Sequence, residues 1–127
     1  MSHLELLPII AAGSFFVLTL NRLVTLERPR SGNWILAAGL SVLFGIYTVI
    51  AVAHDGVVMF WTNHSANMIG NQVWVDLLLA LGMVWFLIAR DAKKLGMKVS
   101  LWLLFIMCSG SVGALAMVAR YTYLKNK

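Results

Sequence analysis

Residues 34–53 read WILAAGLSVLFGIYTVIAVA, a run without a single charged side chain. At 1.5 Å of rise per residue such a stretch, about 20 residues long, crosses a hydrocarbon core of about 30 Å as an α-helix. Its apolar positions follow one another with no polar stripe, so it is not the amphipathic helix of a water-soluble bundle. Three further stretches have the same character: Leu4–Leu20, Val73–Ala89 and Leu101–Ala119. Backbone groups in lipid are satisfied within their own segment, which makes each stretch a helix. The short alternating strands of a membrane barrel are absent from the pattern.

Composition agrees. Of the 127 residues 61% are hydrophobic and 12% charged, whereas a soluble domain carries roughly 25% charge. The expectation is all-α: a four-transmembrane-helix bundle forming a single integral membrane domain over residues 1–127, with helices at about 4–26, 33–53, 69–89 and 99–122. Met1-Ser2-His3 lacks Lys and Arg, and Asn21-Arg22-Leu23 follows the first apolar run. A signal peptide has a basic start and a small-residue cleavage site, so this run reads as a retained span. The single cysteine, Cys108, reads as a small buried hydrophobe.

Four crossings put the first and third loops on one side. Those loops hold Arg22, Arg28, Arg30, Arg90, Lys93, Lys94 and Lys98, against Arg120, Lys125 and Lys127 on the other side. The seven-to-three bias places both termini outside the cytoplasm. The basic tail Lys125-Asn126-Lys127 runs against that orientation. Between the second and third helices, Val57-Val58-Met59-Phe60-Trp61 is too short to span and reads as an interfacial piece. Trp61 and Trp74 then belong to one aromatic belt, and Trp34 and Trp102 to the other. Asn63-His64-Ser65 is formally a glycosylation sequon. Arg90-Asp91-Ala92-Lys93-Lys94 reads as a solvated loop with affinity for anionic headgroups. The net charge of +5 reflects these loops and implies no nucleic acid.

Small residues mark packing faces: Ala38, Ser41 and Gly45 in the second helix, and Ser109, Gly110, Gly113 and Ala114 in the fourth. Among polar residues Asp76 stands out. It follows Asn71 and Gln72 and lies one to two turns inside an apolar stretch, where a carboxylate costs up to about 2.5–3.5 kcal/mol. If the third and fourth helices are antiparallel neighbours, Asp76 and Arg120 lean toward each other, and the pair forms a buried clamp. The competing reading makes Asp76 a protonatable group of a transporter or enzyme. His54, Asp55 and His64 flank the outer loop. Their residue types suit a transition metal, but their spacing matches no metal motif. No metal and no cofactor is expected. Nucleotide-binding, zinc-protease, CxxC and serine-hydrolase motifs are absent.

Residues 71–120 carry a resemblance. Asn71-Gln72-Val73-Trp74-Val75-Asp76-Leu77, Trp85-Phe86, Arg90-Asp91, Leu95-Gly96-Met97 and Gly110-Ser111-Val112-Gly113 resemble a family of small bacterial integral membrane proteins of unknown function. They are also distantly similar to neoxanthin-synthase-like and lycopene-cyclase-type membrane proteins. The resemblance implies a membrane topology and interest in Asp76. It supplies no activity, because the interiors of the first two helices lack the acids such cyclases carry. The expected function is that of a non-catalytic accessory or assembly subunit, with the bilayer and a homo-oligomer or larger membrane complex as partners. The alternatives are a proton-coupled transporter or channel using Asp76, and a membrane-embedded enzyme acting on isoprenoids or lipids.

Overall fold

The computed structural model describes residues 2–24 and 33–127. Arg28, Arg30 and the last two residues of the expected first helix lie outside these. The described residues form helices and no strand. The chain divides into two units, Met1–Arg30 and Ser31–Lys127.

The first unit holds α1, His3–Val24. Its start is closed by Glu5, whose carboxylate accepts from the Ser2 backbone N–H at 2.9 Å. This is the reciprocal half of a capping box, with Ser2 as the first acceptor. Farther along, Thr19 Oγ1 donates to the Phe15 carbonyl at 2.8 Å. Thr48 to Phe44 and Ser109 to Phe105 repeat that bond in the second unit. Back-bonding keeps a hydroxyl satisfied in an apolar helix that offers it no water.

The second unit contains α2 (Asn33–Asp55), α3 (Val58–Ser65), α4 (Met68–Lys94), α5 (Val99–Ser109) and α6 (Ser111–Lys125). Among the described residues three helices are long and apolar enough to cross a membrane: α1, α2 and α4. The third expected helix, 69–89, continues to Lys94, so Arg90–Lys94 is helical and not a loop. Lys93 and Lys94 sit in its last turn, where cations complement the helix dipole. Lys94 Nζ also reaches the Asp91 carboxylate at 3.2 Å.

Leu95-Gly96-Met97 then ends α4. Gly96 takes φ +82°, the Met97 N–H donates to Ala92 O at 3.1 Å, and the Gly96 N–H donates to Lys93 O at 3.1 Å. This is a Schellman ending, and its customary apolar contact is present. Ala92 and Met97 are both buried, in the same cluster.

The expected single helix over 99–122 is not formed. Gly110 stands at φ 62°, ψ −125°, a conformation only glycine adopts readily, and it separates α5 from α6. The chain reverses there. A Cβ placed on Gly113 would lie 2.9 Å from Ile106 Cα. In a straight helix seven residues apart means about 10 Å of rise. The two helices are therefore a hairpin with Gly113 against Ile106. The small residues Ser109, Gly110 and Gly113 serve this turn, where the sequence pattern assigned them to contacts with other helices.

α6 is the centre of the unit. On one side it meets α2 in antiparallel fashion: Ser41 Oγ donates to Val112 O at 2.8 Å, and the Trp34 and Tyr123 rings meet at 5.2 Å. Ala37 and Ser41 are buried in this contact, and a Cβ on Gly45 would touch Val112 Cγ1 at 3.5 Å. Small residues let the two backbones approach closely, as the sequence predicts for this face of α2. On the other side Met117 and Ala114 join Ala92, Met97 and Ile106 in a buried cluster. The half-buried Leu81, Val84, Trp85 and Ile88 of α4 line it at helical spacing. Cys108 lies outside the cluster and is exposed, contrary to its reading as a buried hydrophobe.

Candidate functional site at the α3–α4 corner

Most of the polar residues singled out in the sequence fall where α2, α3 and α4 succeed one another. Asn71, Gln72 and Asp76 are on the first turns of α4. His54 and Asp55 close α2, and His64 lies near the end of α3.

The corner between α3 and α4 is built locally. Asn67 takes an extended backbone and accepts from the Gly70 N–H at 2.7 Å, which starts α4 with an N-cap. Gly70 is required sterically, because a Cβ there would overlap the Asn63 carbonyl. That close approach folds α3 back so that the His64 and Trp74 rings lie 5.1 Å apart. Beside them is a groove of about 270 Å³ lined by Phe60, Trp61, His64, Ser65, Asn71 and Trp74, together with Val57. Asn71 also borders a shallower hollow with Gln72, Asn67 and Met68. The run Val57–Trp61, expected at the interface, thus enters a short helix, α3. Trp74, Asn67 and Gly70 are the residues that shape the corner. Only the N-cap had a sequence signal, an Asn just ahead of an apolar helix.

His54 Nδ1 and Asp55 Oδ1 are 2.6 Å apart and well exposed. His64 is not with them; it stacks on Trp74. Among the described residues no group of three or more His, Cys, Asp or Glu side chains comes together. The corner is aromatic and amide-rich, suited to hydrogen bonding and stacking.

Asp76 and Arg120 are not brought together. The reason is the reversal at Gly110, whose neighbour on α4 is Leu81. From that level α6 returns toward the end of α4, and Tyr121 and Leu124 pack against the cluster that holds Ala92 and Met97. Asp76 is sixteen residues before Ala92, about 24 Å along the helix. Arg120 instead lies over the Tyr123 ring at 5.7 Å. Asp76 is exposed, and among the described residues it has neither a hydrogen bond nor an ion pair. It shares the outward face of α4 with Leu79, Met83 and Phe86, which are 64%, 64% and 83% exposed.

Comparison with protein-family models, characterised proteins and solved structures finds no match for this chain.

Proposed function

We propose that the protein crosses the membrane three times, through α1, α2 and α4, and serves as a non-catalytic accessory or assembly subunit of a larger membrane complex. In this arrangement the α5–α6 hairpin enters the bilayer and leaves on the side it came from. An 11-residue α5 rises only about 16 Å, half of a hydrocarbon core. Three crossings put residues 22–33, 90–99 and 120–127 on one side. All ten Lys and Arg residues fall in those segments. The positive-inside rule then gives an outer N-terminus and a cytoplasmic C-terminus. That bias is stronger than the seven-to-three split of a four-crossing chain, and the basic tail no longer conflicts with it. A reporter active only in the cytoplasm, fused after Lys127, should be active. A silent fusion there, with an active one after Arg30, would restore four crossings.

The observation that carries the subunit reading is Asp76. It lies eight residues from the start of α4 at Met68, about 12 Å along the helix. There it faces outward among apolar side chains, with no partner among the described residues. A carboxylate at such a depth is retained where something faces it. A parallel homodimer on this face would set Asp76 against Asp76, so a different chain suits it better. Transport or lipid chemistry would ask Asp76 to line an enclosed path, and the outward position favours the subunit reading over both. The likeness of residues 71–120 to small bacterial membrane proteins fits this role. Purification in mild detergent should bring down a stoichiometric partner, and Asp76→Asn should weaken its retention. A partner-free protein, unchanged by Asp76→Asn, would remove the proposal.

A further inference from the structure

The hairpin has a consequence for the opposite end of the molecule. The cations of the α4 end are Arg90, Lys93, Lys94 and Lys98, and those of the α6 end are Arg120, Lys125 and Lys127. Four crossings would put a membrane between the two groups. In the structure α6 runs 15 residues back from the turn beside Leu81, about 22 Å, and Tyr121 and Leu124 pack against the cluster that holds Ala92 and Met97, so both groups gather at one end. We infer that this end is a binding site for an anionic phospholipid, whose phosphate lies between the two groups while an acyl chain runs down α5.

Charge comes first. Seven cations face one carboxylate, Asp91, and Lys94 already engages it. The C-terminal ends of α4 and α6 each add about half a negative charge. The balance stays near +5. Depth comes second. Lys125 lies over the Tyr121 ring at 5.6 Å, and Lys127 and Arg120 lie over Tyr123 at 5.1 and 5.7 Å. The Tyr123 ring itself rests on Trp34. Cations held on an aromatic belt are held at headgroup level, where Trp and Tyr concentrate, rather than out in water. Below the cations lies an apolar surface. Lys98 opens α5, and Leu101, Leu104 and Met107 follow it as an exposed stripe, 58%, 58% and 75% accessible. A soluble phosphate or an acidic protein would use the cations and leave that stripe idle. A phospholipid uses both.

The site belongs to the isolated chain and is independent of the subunit reading. The test uses purified full-length protein in vesicles of phosphatidylcholine with a minor fraction of phosphatidylglycerol, extracted and weighed by native mass spectrometry. Wild type should retain phosphatidylglycerol over phosphatidylcholine. Two paired variants probe the two groups: Lys94→Gln with Lys98→Gln, and Arg120→Gln with Lys125→Gln. Each cation is worth about 1 kcal/mol near an anionic surface, so retention should fall about fivefold per cation removed, in both variants. Far-UV circular dichroism that matches wild type shows that the fold is kept. A third variant, Leu101→Ser with Leu104→Ser, should also lose lipid while keeping all its charge. Equal retention of the two lipids would overturn the inference. So would an α6-side variant that behaves as wild type, or displacement of the lipid by inorganic phosphate with no effect of the Leu101 and Leu104 changes.

Discussion

Gly113→Ala tests the reversal at Gly110 through the sign of its effect. In the hairpin, a Cβ at 113 falls 2.7 Å from Ser109 Oγ and 2.9 Å from both the nitrogen and Cα of Ile106. The hydroxyl can rotate away, but the Ile106 backbone cannot. α5 and α6 must separate by several tenths of an ångström, at the place where Ile106 and Ala114 are buried. Overpacking of this kind costs about 1–3 kcal/mol. The gain in helix propensity on replacing glycine returns at most about 1 kcal/mol. The net expectation is a loss of up to about 2 kcal/mol. In a continuous helix over 99–122 the clash with Ile106 disappears, and the same substitution would stabilise. Gly82→Ala supplies the reference, since nothing lies within 4 Å of a Cβ there and α4 is uninterrupted. Gly110→Ala supplies a second test, because an L-residue at φ 62°, ψ −125° costs about 1–3 kcal/mol. Unfolding by dodecyl sulfate in mixed micelles, followed by circular dichroism, gives all three differences. The hairpin is refuted if Gly113→Ala and Gly110→Ala raise stability alongside Gly82→Ala.

Two other changes examine the contacts that hold the second unit. Ser41→Ala removes the bond to the Val112 carbonyl and should cost about 0.6–1.7 kcal/mol; isotope-edited infrared spectra should show the Val112 carbonyl band moving to higher frequency, and an unmoved band would deny the bond. Asn67→Ala removes the cap on Gly70 and should cost about 1 kcal/mol, appearing as faster hydrogen exchange at the Gly70 amide while the Leu81–Ile88 amides are unchanged.

The apolar stretches were legible because hydropathy and length report the solvent a segment needs. The α2 face of Ala38, Ser41 and Gly45 was legible in kind, since small residues four apart permit close approach of backbones, while Ala37, buried in the same contact, was not named by that pattern. The ending at Leu95-Gly96-Met97 is an ordinary helix stop once the Schellman bonds are seen. Other features rest on contacts between successive helices that no sequence motif encodes. His64 and Trp74 share no motif; they meet because Gly70 admits the Asn63 carbonyl. The break at Gly110 hides for a different reason. Glycine is frequent in membrane helices, and Ser109-Gly110-Ser111 lies within an apolar run that reads as one span.

Hydropathy measures how much chain lipid accepts and is blind to the direction in which the chain travels. The pairing of Asp76 with Arg120 depended on that direction, because it required the last helix to cross. Once the chain turns at Gly110, Arg120 is carried back toward Ala92, and Asp76 is left facing outward on α4. Charge is the quantity in the sequence that does register direction, since cations accumulate on one side of a membrane. Lys125-Asn126-Lys127 was the discordant element of a four-crossing orientation. Under three crossings and a hairpin it joins the other cations. The disagreement between the basic tail and the hydropathy count was therefore the one mark of the reversal visible without coordinates.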